Sequence, residues 1–408
     1  MKKIFMTCYG GGHVEIIKEV YKNLVNISGV EITILALTTS KYKFEQEKIP
    51  YKLITDYYNK EEEKFIYELG KSFCISNDID TSIGEDETYL YHGYALYELE
   101  KKYSKEKIKE GFKKFGRAIF LPVQFMERVL KNENPNLVIT TNSPRYEKAT
   151  LIVAKKLGIK ALSIEDQFGI DGIQNGSEEL VNFFQDKIYE KEYGNYVCVL
   201  SKKTIDNLSL KKIDKIFITG NPAFDKALDC FLNIEGKEKT NDKINHITLC
   251  YLTQKHPDNI LIMKKLIALT EKYNFKLIVK IHPNEKIKDY LEKIDNKRDS
   301  RVEVVNNDLY GNILKSDIIV AIFSTSILEA TILDKPIIAK ENIGAPYADL
   351  GIGLEYKSID QIEECINRIL KDKELNNKLR AGREEFRPKR KAGEQIKGII
   401  EKILEDKL

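Results

Sequence analysis

The sequence has no tryptophan, only five histidines and six cysteines, and little net charge. The cysteines (Cys8, Cys74, Cys198, Cys230, Cys250, Cys365) form no C-x-x-C pair and no cluster with histidine. That pattern argues against a disulfide framework and against a structural zinc site. No metal is expected. Cys8, Cys198 and Cys250 fall inside apolar strand-like runs, where a free thiol behaves as a small hydrophobe. The 66 basic and 63 acidic residues leave a net charge of +3, too even for a nucleic-acid partner. No run approaches the ~20 apolar residues of a membrane-spanning helix. Lys2 and Lys3 lead only into Ile4-Phe5-Met6-Thr7-Cys8, too short for a signal-peptide core. The expected location is the cytoplasm, with peripheral contact at the inner face of the membrane as an extension. The basic run Arg387-Pro388-Lys389-Arg390-Lys391 could touch anionic lipid there, although a solvated helix start is the plainer reading.

What remains describes a globular chain, with 42% hydrophobic and 32% charged residues. A chain of 408 residues suits two domains rather than one. Lys3 to Cys8 reads as a strand, Tyr9-Gly10-Gly11-Gly12-His13 as a glycine loop, and Val14 onward as an amphipathic helix. Val30 to Leu37 closes this β–loop–α–β unit. Glycines there permit close backbone approach to a ligand at the helix start. The dinucleotide fingerprint is incomplete, because His13 to Glu15 replace its second half. Residues of about 57 to 134 read instead as a helical insertion, with helices over Glu61–Ser72, Thr88–Tyr103 and Ser104–Lys131. Its crowd of Tyr89, Tyr91, Tyr94, Tyr97 and Tyr103 reads as packing, or alternatively as an aromatic acceptor site. Asp78-Ile79-Asp80 spells a metal-binding D-x-D but lies in an acidic loop and reads as solvated.

Strand–helix alternation resumes at Asn136 and again after a polar segment, Asn233 to Asn245, that reads as a linker. The expected fold class is α/β, with two Rossmann-like doubly wound domains. Residues 1–232 form the N-terminal domain, 233–245 the linker and 246–385 the C-terminal domain. Residues 386–408 supply a closing helix that packs back on the N-terminal domain. In such sheets ligands bind at the carboxyl ends of strands. Three polar segments occupy such ends in the second half: Thr253-Gln254-Lys255, His282-Pro283-Asn284-Glu285 and Ser324-Thr325-Ser326. The last follows a buried strand and begins a helix, so its hydroxyls and free N–H groups suit a phosphate.

Gly10-Gly11-Gly12-His13, Thr219-Gly220-Asn221-Pro222, Lys280-Ile281-His282-Pro283 and Ser324-Thr325-Ser326 with Glu329 together resemble glycosyltransferases of the GT-B fold. The His-Pro pair and the downstream Ser/Thr turn look most like bacterial sialyltransferases, Kdo transferases of capsule synthesis and CDP-glycerol polymerases. The Gly-Asn-Pro turn also resembles nucleotide-sugar 2-epimerases. The resemblance implies two domains facing across a cleft and metal-independent transfer of a sugar from a nucleotide donor to a surface glycan. The donor would be CMP-linked, carrying a sialic-acid-like or Kdo-like sugar, with UDP-sugars second. The nucleotide-sugar is then a substrate, no cofactor is required, and the acceptor is a glycan or lipid-linked glycan.

Carried onto this sequence, His282 would meet the donor phosphate and stabilise the leaving group. Lys280, Pro283, Thr253, Gln254, Ser324, Thr325 and Ser326 would line the donor site, and Glu329 would accept from the ribose hydroxyls. Asp166, after the strand Lys160–Ile164, and His13 are rival bases, with Gly11 and Gly12 beside the acceptor. Asp171-Gly172 is another alignment of the acidic motif that ends here at Gly169. A CDP-glycerol-type polymer transferase is an alternative of the same class, and two further alternatives stand beside the transferase. One is a hydrolysing UDP-N-acetylglucosamine 2-epimerase-like enzyme, whose first strand usually leads into a Gly-Thr-Arg-Pro-Glu type segment unlike Tyr9 to His13. The other is a non-catalytic scaffold that binds nucleotide sugars.

Overall fold

The computed structural model describes residues 1–142, 144–168, 177–208, 213–235, 246–283, 285–293, 300–341 and 345–408. The chain divides into two compact units, Met1–Ala223 with Arg390–Leu408, and Phe224–Lys389. The division falls at Ala223/Phe224 rather than at the polar segment expected as a linker. The helix Asp225–Glu235 therefore belongs to the second unit, and the rest of that segment, 236–245, lies outside the described residues.

The first unit is built on a six-stranded parallel sheet: β1 (Lys2–Cys8), β2 (Val30–Ala36), β3 (Leu137–Thr141), β4 (Lys160–Ile164), β5 (Tyr196–Val199) and β6 (Lys215–Ile218), in the order β2-β1-β3-β4-β5-β6. Alternation along β1 sends side chains to opposite layers. Ile4, Met6 and Cys8 join Val14, Ile17, Val20 and Leu24 of the helix Gly12–Leu24 on one face. Ile396, Ile400 and Ile403 of the closing helix Ala392–Leu404 complete that layer. Phe5 points the other way, into the helical insertion.

That insertion fills the β2-to-β3 crossover. Its two central helices, Lys64–Ser76 and Glu85–Glu100, meet backbone to backbone through paired glycines. A Cβ on Gly70 would sit 1.8 Å from the Tyr89 carbonyl oxygen, and one on Gly93 would sit 2.1 Å from that of Ile66. Tyr89, Tyr91 and Tyr94 are buried there. The single helix expected over Ser104–Lys131 is two, Lys105–Phe115 and Val123–Glu133. Gly116, at φ +57°, ends the first, and Pro122 precedes the second.

The second unit carries β7 (Thr248–Leu252), β8 (Lys276–Lys280), β9 (Val302–Val305), β10 (Ile318–Ala321), β11 (Ile337–Lys340) and β12 (Gly353–Tyr356). All pair in parallel, in the order β12-β11-β10-β7-β8-β9. Strand order reverses between β1 and β3 in the first sheet and between β7 and β10 in the second. These reversals are the switch points at which doubly wound sheets open a crevice for ligands.

Candidate functional site

Each switch point is bridged by side-chain hydrogen bonds from the residues that follow the strands. In the first unit, β1 ends at Cys8 and the chain turns through Gly10, Gly11 (φ +73°) and Gly12 into the helix. A Cβ on Gly10 would lie 1.9 Å from the Thr39 hydroxyl, so the turn is closed to larger residues there. Gly11 and Gly12 are exposed, and His13 is half-buried. His13 Nδ1 lies 2.5 Å from the hydroxyl of Thr141, the last residue of β3. That hydroxyl donates to Glu147 Oε2 at 2.7 Å, and Glu147 is fully buried. A threonine hydroxyl has a single proton to give, and its donation to Glu147 fixes the order along the chain. Thr141 spends its proton on Glu147 and so accepts from His13 Nδ1–H, leaving Nε2 with a free lone pair. His13 is thus oriented as a base by groups 128 and 134 residues away in sequence.

One strand further along, β4 runs into Glu165, which is 1% exposed. Thr141 and Ile164 are register partners, so Asn142 and Glu165 leave the sheet side by side. Asn142 donates its amide to Glu165 Oε1, and Lys191 Nζ stands 3.8 Å from Oε2. Asp166, next in the chain, is half-buried, and its carbonyl accepts from Asn221 Nδ2 at 3.2 Å. The Gly-Asn-Pro turn therefore braces the β4 end, and Gln395 of the closing helix donates to the Thr219 carbonyl behind it. Gly169 and Asp171-Gly172 lie outside the described residues. Arg145 adopts φ +74° and lays its guanidinium 3.9 Å from the centre of the Tyr9 ring. A non-glycine residue held in that region is a strained conformation that clusters at functional sites. The sequence reading singles out Asp166 and passes over Glu165, Thr141, Glu147 and Arg145.

In the second unit, the residues after β7, β8 and β10 interlock. The Thr253 hydroxyl donates to Glu285 Oε2 at 2.6 Å and accepts from the His282 backbone N–H at 2.9 Å. Glu285 Oε1 accepts from the Tyr290 hydroxyl at 2.6 Å, and Asn259 ties the same cluster to Tyr251. This network fixes the His-Pro turn, in which His282 is half-buried and Pro283 exposed; Asn284 lies outside the described residues. Gln254 reaches across the switch point, where its Oε1 accepts from the Phe323 N–H at 3.3 Å. Ser324 Oγ accepts from the Ser326 N–H at 3.2 Å as the short helix Ser326–Ile332 begins, and Thr325 is exposed. Glu329, one turn on, accepts from the Tyr310 hydroxyl at 2.5 Å. Lys280 is buried and donates to the Ile281 carbonyl at 2.8 Å, and burial pulls its pKa down.

Among the described residues no His/Cys/Asp/Glu group could hold a metal ion, and no helix is long and apolar enough to cross a membrane. Asp80 is exposed and accepts from Ser82 within its own turn.

No family model matches the sequence. A curated UDP-N-acetylglucosamine 2-epimerase of Methanococcus maripaludis is 26% identical over 188 residues, which is 42% of this chain and 50% of that protein. The chain thus spans about half the length of the curated relative it matches. Among solved structures, an S. aureus MnaA–UDP complex superposes with a TM-score of 0.65 at 14% identity, covering 100% of this chain and 98% of that one. Acinetobacter baumannii MurG follows the same path at 0.60 and 13%, covering 98% and 100%. The chain has the GT-B fold. A Methanocaldococcus jannaschii UDP-GlcNAc 2-epimerase in complex with UDP-GlcNAc and UDP shares it too, at TM-score 0.58 and 17% identity over 98% and 99% of the chains. GT-B architecture accounts for both switch points and for a closing helix that returns to the first unit.

Proposed function

We propose that this GT-B protein is a nucleotide-sugar enzyme that epimerises a UDP-linked hexosamine at C2, with release of UDP. The observation that carries the reading is the pair of oriented acid–base groups at strand ends of the first unit, one after β1 and one after β4, with β3 between them. These are the buried Glu165 carboxylate and His13, aligned by Thr141 and Glu147. Inverting a C–H centre requires proton removal from one face and return to the other, and so two positioned groups. Departure of UDP from C1 lets the C2 proton leave, because the C–H electrons form the C1=C2 bond as the C1–O bond breaks. Water then adds its oxygen to C1 as a proton returns to C2 from the opposite face, giving the free C2 epimer and UDP. Glu165 takes precedence over Asp166 because it is buried and held by both Asn142 and Lys191. In the second unit we assign the nucleotide to Ser324, Thr325, Ser326, Glu329, Thr253, Gln254 and His282. The UDP named in the similar structures favours uridine over the cytidine donor expected from the His-Pro turn.

A second reading, glycosyl transfer, is favoured by the Tyr9 to His13 loop, which lacks the Gly-Thr-Arg-Pro-Glu type segment, and by the shared fold of MurG. Incubation with UDP-N-acetylglucosamine in D2O, followed by proton NMR, separates the two. Epimerisation places deuterium at C2 and releases UDP, and Glu165→Gln lowers that rate by roughly 10²–10⁴-fold. Unlabelled UDP-N-acetylglucosamine, together with CMP-sugar consumption only when a glycan acceptor is added, would overturn the epimerase reading in favour of transfer.

A further inference from the structure

Beside Glu165 the first unit opens a solvent-accessible pocket. Its wall includes Asn142, Arg145, Lys148, Lys191 and Glu192. Of these charged groups, Glu192 is already paired with Lys155 at 3.1 Å and Lys191 with Glu165 at 3.8 Å. Lys148 is 8% exposed, and among the described residues its ammonium has neither a hydrogen-bond acceptor nor an ion pair. The Tyr189 ring lies 5.9 Å from Nζ, and the carboxylates of Glu192, Glu190 and Asp186 act on it electrostatically without an ion-pair contact. A buried ammonium is retained only where something compensates it. On the same wall Asn142 gives its amide to Glu165, and among the described residues its buried Oδ1 has no donor. The cavity therefore asks for an anion at Lys148 and a hydroxyl at Asn142.

We propose that this cavity binds a sugar acid, its carboxylate on the Lys148 ammonium and a ring hydroxyl on Asn142 Oδ1. The proposal rests on the reading of this chain as a nucleotide-sugar enzyme, and it makes the hexose of the substrate a carboxylated one. Arg145 and Lys191 add positive potential around the carboxylate. Burial draws the Lys148 pKa down to about 8, so a bound anion also completes the charge of a lysine otherwise on the edge of neutrality.

Titration calorimetry with UDP-glucuronate and UDP-glucose compares an acidic with a neutral sugar on one nucleotide. The wild-type chain should favour UDP-glucuronate by at least ~10-fold, the toll of about 1.4 kcal/mol that one good charge contact carries. Lys148→Met should erase that preference and Lys148→Arg should keep part of it. Equal affinities in the wild type, or an undiminished preference in Lys148→Met, would overturn the proposal. Free D-glucuronate, D-glucose and inorganic phosphate form the second arm, read by thermal shift and by acylation of Lys148 at pH 8. Protection by glucuronate alone supports the sugar acid, whereas equal protection by phosphate reduces the cavity to a general anion site and refutes it. Glucuronate binding through Lys148 with no response to either UDP compound would sink the nucleotide-sugar reading and leave the acid pocket standing.

Discussion

Replacing Thr141 by valine removes one oxygen from the first unit without changing its shape, and the structure states what that oxygen does. It donates to Glu147 Oε2 at 2.7 Å and accepts from His13 Nδ1 at 2.5 Å. Glu147 is fully buried, so loss of the donor leaves a carboxylate oxygen unmatched in the interior. Hydrogen bonds to charged groups contribute about 1.5–3 kcal/mol, whereas half-exposed His13 can turn to water at little cost. Valine fills the same volume, so no cavity is added. The expected loss is about 2 kcal/mol. For a unit of this size that corresponds to a Tm lowered by roughly 4–8 °C. Turnover should fall further, by ~10²-fold, because the imidazole loses the partner that fixes its tautomer and aim. Thr141→Ser restores the oxygen and should recover most of both losses. Differential scanning calorimetry and steady-state rates on the three proteins decide the matter. A Thr141→Val protein that melts and turns over like the wild type would refute the proton order assigned to His13, Thr141 and Glu147.

Two further perturbations bear on the helical insertion. His92 is 2% exposed and donates Nδ1–H to the Thr88 carbonyl at 2.8 Å, and burial pulls its pKa down from 6.5 to about 4. A depressed histidine favours the folded state fully above the unfolded pKa, and the contribution drains as pH falls from about 6.5 to about 4. Roughly 3 kcal/mol is at stake, so His92→Phe should flatten the acid limb of the urea-denaturation free energy over that window. Gly93→Ala would drive a Cβ to 2.1 Å from the Ile66 carbonyl, prising apart two helices that meet at their backbones. A loss of about 3 kcal/mol is expected. Gly398→Ala, which meets nothing within 4 Å on the closing helix, should instead gain about 0.5–1 kcal/mol. Equal midpoints for the two alanine variants would contradict the close crossing.

Strands and their order of use were legible in the sequence because parallel, doubly buried strands print as unbroken apolar runs. Ile318 to Ala321 and Leu137 to Thr141 are of that kind. β12 was not, since Gly353-Leu354-Glu355-Tyr356 is a short edge strand with a polar residue in its middle. The helix Glu85–Glu100 hides its period because residues on every side of it are buried, from Glu87 to Leu99. Site residues divide along a similar line. His13, His282 and Ser324 announce themselves beside glycine, proline or a strand end. Thr141 and Glu147 do not, because their meaning lies in contacts to His13 from across the switch point. Glu165 and Asp166 are chemically alike in the sequence, and it is burial and the contacts to Asn142 and Lys191 that separate them.

The closing helix has a consequence for how the chain comes into being. Ile396, Ile400 and Ile403 cover an apolar layer whose members from Ile4 to Leu24 are synthesised long before them. Between them the whole of Phe224–Lys389 must be made. At 5–20 residues per second, translating that interval of roughly 170 residues takes about 10–30 s. The second unit emerges complete and can fold at once. The first waits with part of one side of its sheet uncovered until the closing helix leaves the ribosome, so the unit begun earlier is the unit completed later. Termination between Lys389 and Ala392 would release a chain with a folded second unit and an incompletely covered, adhesive first one.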